Sequence, residues 1–170
     1  ITPITTTDPE VITITYHSLY ENSPYIKNTV KIEISGRSMI EPIEKKAINA
    51  IIDTYFCKTQ FAENPFEVNA VIPERTFLEK VFLLHEEFKK EVVRIERMSR
   101  HIYDLAMMMN SKENIADRAI HNEKLYRCIL EHRRKFIGLK GFNYDELYSD
   151  TLCIVPNEEI TNLWQDDYRF

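Results

Sequence analysis

Apolar and polar positions keep one rhythm through the first 72 residues and another after them. Val11-Ile12-Thr13-Ile14-Thr15-Tyr16 is rich in β-branched residues, a composition suited to a pleated sheet. Val30-Lys31-Ile32-Glu33-Ile34-Ser35 alternates strictly, with Val30, Ile32 and Ile34 on one face and Lys31, Glu33 and Ser35 on the other. Asn22-Ser23-Pro24 supplies a turn between the two, which predicts an antiparallel pair. Pro42 is expected to open a helix running to about Phe56, with Ile43, Ala47, Ile48, Ile51 and Ile52 on one side. Phe66 to Ile72 reads as a third strand stopped by Pro73. From there the spacing turns helical. Thr76-Phe77-Leu78-Glu79 has the form of a capping box, and Phe77, Val81, Leu84 and Phe88 continue at helical intervals, widened by Leu78 and Phe82. Further helices are expected over Ser99–Met109, about Asn114–Phe136 and Glu158–Asp167, with Gly138 and Gly141 marking the exit from the third. A small mixed or antiparallel sheet over 1–72 followed by a helical bundle over 73–170 makes an α+β chain.

Composition narrows the class. The 170 residues are enough for a core that needs no disulfide or structural metal. A charged fraction of 29% with 9 Phe and 9 Tyr excludes disorder. Only Gly36, Gly138 and Gly141 are glycines, where average usage gives roughly 12. A Walker loop and a dinucleotide fingerprint are therefore excluded within this chain. No run of about 18 apolar residues occurs, so no membrane span is expected. Cys57, Cys128 and Cys153 form no CxxC pair, and His85-Glu86-Glu87-Phe88-Lys89 lacks the second histidine of a zinc helix, which fits a reduced, cytoplasmic setting. The net charge of −5 hides segregation: residues 123–140 balance at +4, residues 141–170 at −6.

Four places carry candidate chemistry. Glu33 stands on the polar face of its strand between Lys31 and Ser35, with Arg37 beyond; this is either a solvated sheet face or a carboxylate held toward a divalent cation. Lys80 interrupts the apolar run Phe77 to Leu84, so its ammonium either snorkels to solvent or enters a cleft where it could clamp a triphosphate. Arg100 and Asp104 lie one helical turn apart, the spacing of an ordinary intrahelical ion pair. His132-Arg133-Arg134-Lys135, with Phe136 and Tyr126 nearby, forms a basic patch suited either to a nucleic-acid backbone or to a solvated helix end. Met107-Met108-Met109 reads as core filler.

Together these stretches resemble the AbiEii/AbiGii family of toxin nucleotidyltransferases, in the DNA polymerase β-like superfamily. The likeness rests on Val30 to Ile34, Pro73-Glu74-Arg75-Thr76-Phe77-Leu78-Glu79-Lys80, Ser99-Arg100-His101-Ile102-Tyr103-Asp104-Leu105, Glu131 to Phe136, and a tail containing Asp167-Tyr168. The resemblance implies Mg²⁺-dependent transfer of a nucleotide from an NTP to an acceptor, with RNA (tRNA among the candidates) expected, and a separately encoded antitoxin as partner. It implies that Lys80, with Arg75 and Arg37, meets nucleotide phosphate, that Asp104 is an active-site acid, and that Glu33 is a carboxylate on the metal side. His132, Arg133, Arg134 and Lys135 would meet RNA.

One departure stands out. The family's Gly-Gly or Gly-Ser turn and following Asp-x-Asp strand are absent, and no Asp-x-Asp occurs anywhere. This leads to the expectation that the chain is the C-terminal portion of a longer protein, lacking the first strand-helix unit and inactive by itself. The competing expectation is a catalytically inactive module that binds RNA or a protein through 123–140.

Overall fold

In the computed structural model of this protein, the described residues are 10–19, 27–36, 42–60, 62–148 and 150–169. The turn expected at Asn22-Ser23-Pro24 and the side chain of Arg37 lie outside them. Two compact units divide the chain, residues 1–39 with 170 and residues 40–169. The fold is α+β: among the described residues there are two antiparallel two-stranded sheets and six α-helices.

The first unit holds strands β1 (Glu10–Thr15) and β2 (Thr29–Ile34). Their register sets Ile12 opposite Ile32 and Ile14 opposite Val30, so the β-branched residues meet across the ladder as the alternation predicts.

In the second unit, β3 (Ile43–Ile48) and β4 (Phe66–Val71) pair antiparallel, joined through α1 (Ile51–Tyr55). Residues 43–48 are thus a strand where the sequence suggests a helix. The Glu-Lys-Lys-Ala stretch has good local helix propensity, but the ladder to β4 overrides it, aided by a Lys45–Glu67 bond of 3.3 Å across the pair. The helix begins only after Ala50.

Five further helices follow: α2 (Pro73–Glu87), α3 (Ser99–Met109), α4 (Ile115–Ile120), α5 (Glu123–Phe136) and α6 (Glu158–Tyr168). α2 starts three residues before the expected capping box. Pro73 occupies its first turn, where a preset φ and a missing N–H cost nothing. Thr76 therefore lies inside the helix, its amide bonded to the carbonyl of Ile72, and Glu79 accepts from Arg75 Nε at 2.9 Å instead of closing a box. The single helix expected over 114–136 is two. The first ends at Ile120 with His121 as its C-cap, and Asn122 caps the second, its Oδ1 accepting from Leu125 N at 3.0 Å. Gly138, at φ +51°, turns the chain out of α5 while its amide reaches the carbonyl of Arg133.

α2 is the centre of the bundle and packs on α3, α4 and α5. Phe77, Leu78, Val81, Phe82 and Leu84 are buried along it and meet Leu105 of α3, Ala119 of α4, and Leu125 and Ile129 of α5 in one core. Each of these side chains larger than alanine contributes on the order of 1.5–3 kcal/mol by leaving water. Met107 and Met109 are exposed, so the methionine run is not core filler; Leu105 is the residue by which α3 reaches the interior. No helix among the described residues is long and apolar enough to cross a membrane.

Charge is buried with the apolar side chains. Glu86 is 5% exposed and Arg133 7%. The Arg133 guanidinium donates to both Glu86 oxygens at 2.8 and 2.6 Å, and Tyr144 Oη donates to the same carboxylate at 3.1 Å. This fork fastens α5 and the segment beyond it to α2. Arg133→Ala leaves a buried carboxylate without its counterion and is expected to lower unfolding free energy by about 3–5 kcal/mol, measured by urea denaturation; a loss below about 1 kcal/mol would show that the pair is not a fastening.

Candidate functional site

Lys80 and Asp104 are brought together. α2 presents Lys80 toward α3, and Asp104 Oδ2 receives its Nζ at 2.8 Å. The intrahelical partner suggested by the spacing, Arg100, is not the one taken; Asp104 reaches across to the neighbouring helix. The Lys80 side chain is 20% exposed and that of Asp104 39%, so the pair is seated on the core but open to solvent on one side. His101, one turn before Asp104 on the same face of α3, lies with Nδ1 3.3 Å from the same Nζ. An ammonium only donates, so Nδ1 is the acceptor and the ring is neutral with its proton on Nε2. Burial holds the imidazole below its ordinary range, helped by the charges of Lys80, Arg100 and Arg94 and opposed by Asp104. The sequence placed His101 inside a motif but gave it no role. Its spacing of three from Asp104 was the available signal.

α3 is aimed by residues from the far end of the chain. Asp167 of α6 accepts from Arg97 N at 2.7 Å, from Ser99 N at 3.1 Å and from Ser99 Oγ at 2.5 Å. It thereby supplies the N-terminal cap that Met98 cannot, and steadies Arg97 at φ +60°, a conformation that favours glycine. Burial works against the charge of Asp167, but these bonds outweigh it and hold the carboxyl below its usual range. Trp164 Nε1 donates to the carbonyl of Arg94 at 3.0 Å, tying α6 to the link between α2 and α3. Glu87, 1% exposed, grips the same link by accepting from Lys90 Nζ at 2.7 Å and Arg94 N at 3.0 Å.

The other sequence candidates fall elsewhere. Arg75 is buried, with Nε given to Glu79 and Nη1 without a hydrogen-bond partner among the described residues. Glu33 is exposed on β2 of the first unit and paired with Lys31. Of the basic run, Arg133 is the buried partner of Glu86 rather than an exposed donor. Arg134 pairs with Asp145 and, at 3.3 Å, with Glu131. His132 stacks near Phe136 at 4.8 Å between centroids, and Lys135 Nζ lies 5.3 Å from the same ring. An apolar groove of about 380 Å³ between α3 and α6 is lined by Ile102, Tyr103, Ala106, Trp164 and Tyr168, and neither Lys80 nor Asp104 lines it.

A divalent ion needs several oxygen donors converging on one point. Asp53 is buried with Oδ2 unpartnered among the described residues. Yet no group of three or more His, Cys, Asp or Glu converges among the described residues. The residues described do not fit a bound divalent ion by themselves.

Residues 2–170 match the family described as "Nucleotidyl transferase AbiEii toxin, Type IV TA system". Comparison with curated proteins and with solved structures returned no match.

Asp167→Ala removes a cap and three bonds and is expected to lower stability by about 1–2 kcal/mol. The wild-type contribution is complete above the ordinary carboxylate range and is lost as pH falls through the lowered value, because protons bind the unfolded chain first. Denaturation curves of the variant should therefore be flatter with pH on the acid side; an unchanged acid limb would refute the capping role.

Proposed function

We propose a reaction for this chain from one premise: it belongs to the AbiEii family of nucleotidyltransferase toxins of type IV toxin–antitoxin systems. The reaction is transfer of a nucleoside monophosphate from an NTP to an acceptor hydroxyl, with RNA as the acceptor, in the cytoplasm, and with an antitoxin protein as the controlling partner. Lys80 and Asp104 are the catalytic residues. The observation that carries this reading is the 2.8 Å contact between them, a lysine and a carboxylate from two helices, partly open to water.

The chemistry divides between the two groups. The acceptor oxygen attacks the α-phosphorus as the bond from that phosphorus to the bridging oxygen of pyrophosphate breaks. Lys80, a compact cation, offsets the charge that gathers on the departing phosphates. Asp104 orients the acceptor hydroxyl and takes its proton. In the free protein each group neutralises the other. A triphosphate drawn to Lys80 weakens that bond and leaves the Asp104 carboxylate able to accept. Mg²⁺, which would supply further charge neutralisation for the triphosphate, finds no ligand set among the described residues, and no step above is routed through it.

The test is NTP turnover by the full toxin with each α-labelled NTP, Mg²⁺ and total RNA. Lys80→Ala and Asp104→Ala are each expected to reduce labelled product by about 10²–10³-fold. The melting temperature should change little, because a partly exposed pair contributes only about 0–1 kcal/mol. Turnover retained in both variants would overturn the site.

A further inference from the structure

We propose that His101 is the positioning residue for Lys80: with Asp104 it supplies the second of two fixed acceptors on α3 that hold the ammonium in a single orientation and leave its third N–H for a phosphate oxygen. The inference rests on the reading that Lys80 meets the triphosphate.

The geometry is specific to the two helices. α3 places His101 and Asp104 three residues apart, on adjacent turns of one face, and both reach Nζ of Lys80, at 3.3 and 2.8 Å. A lysine ends a flexible four-carbon stem, and one acceptor lets the ammonium swing about that contact. Two acceptors attached to one rigid helix remove this freedom. Three N–H bonds radiate from the nitrogen, and these two contacts engage two of them. The imidazole suits the task because its neutral form offers a lone pair without adding a second negative charge beside Asp104. A second carboxylate there would set a further negative charge beside the incoming phosphate.

The charges around His101 keep it in that form. Lys80 faces it from α2, Arg100 and Asp104 from α3, and Arg94 from the link between the helices. Three of the four disfavour the imidazolium, and burial acts the same way. The contact is thus present at neutral pH. It is lost on acidification through the lowered value, where the ring gains a proton, can no longer accept and repels Lys80.

The experiment uses the full toxin with His101→Leu, His101→Asn and Lys80→Ala. Asn keeps an acceptor oxygen near the place of Nδ1 but does not titrate; Leu keeps bulk and removes the acceptor. The first readout is the ¹H–¹⁵N signal of the Lys80 ammonium, which sharpens when the group is held. It should be sharp in wild type and in His101→Asn, and broad in His101→Leu. Acidification should broaden it in wild type alone. The second readout is turnover, expected to fall about tenfold in His101→Leu, equivalent to about 1.4 kcal/mol, and to be restored within a few-fold by Asn. A sharp signal with wild-type turnover in His101→Leu overturns this proposal, as does a residual acid transition of the same size in His101→Asn. Lys80→Ala separates the two levels. Unimpaired turnover there defeats the catalytic reading itself, whereas abolished turnover beside an unaffected His101→Leu defeats only the positioning role.

Discussion

Helix α2 is covered over most of its circumference, and that burial obliges its charged side chains to find partners. An ion stripped of water without a counter-charge costs several kcal/mol, more than the burial of one leucine returns. The sequence nevertheless puts Arg75, Lys80, His85, Glu86 and Glu87 on this helix among Phe77, Leu78, Val81, Phe82 and Leu84. Each is answered from a different place. Glu79 takes Arg75, Asp104 takes Lys80, Arg133 and Tyr144 take Glu86, and the Lys90–Arg94 link takes Glu87. His85 is kept neutral by burial, with Nδ1 accepting from Cys153 N at 2.9 Å. The apolar face draws the helices together, and the polar demands of α2 fix which residue of each helix must stand opposite it.

How much of this the sequence discloses depends on how local the determining contact is. The alternation in Val30 to Ile34 and the run Val11 to Tyr16 carry their own strand signal, and Ser99–Met109 carries its own helical one; all three appear close to where expected. Ile43–Ile48 is different. Glu44, Lys45, Lys46 and Ala47 favour helix locally, and what makes them a strand is a ladder partner beginning at Phe66. Likewise Thr76 and Glu79 have the spacing of a capping box, but Pro73 starts the helix earlier and Arg75 claims the glutamate. The break at Asn122 was legible as a cap residue inside an otherwise continuous pattern.

The residues of the candidate site were legible in the sequence, and their contacts were not. Lys80 stands out in sequence because it interrupts an apolar run, and Asp104 because it stands one turn from Arg100; only tertiary packing decides against that nearer partner. Arg133 shows the opposite error. Inside His132-Arg133-Arg134-Lys135 it looks like one more exposed cation. Leu125, Ile129 and Arg133 recur every four residues, however, and that stripe is the buried face of α5. A charge run says how many cations are present; the helical period says which of them turns inward.

Two of the interhelical ion pairs of α2 then differ for one physical reason. Glu86 and Arg133 are almost fully buried, joined by two bonds and supported by Tyr144, so separating them exposes each to a medium that cannot replace the other. Lys80 and Asp104 are chemically the same kind of pair, but water reaches both. Screening lowers the cost of parting them to about 0–1 kcal/mol, and a polyanionic ligand can supply the lost charge. In the proposed reaction, a pair that is inexpensive to break contributes little to folding and much to exchange. Its helices must therefore be placed by other contacts, and they are: Asp167 caps α3 and Glu87 grips the link, neither of them spending the lysine or the carboxylate that exchange requires.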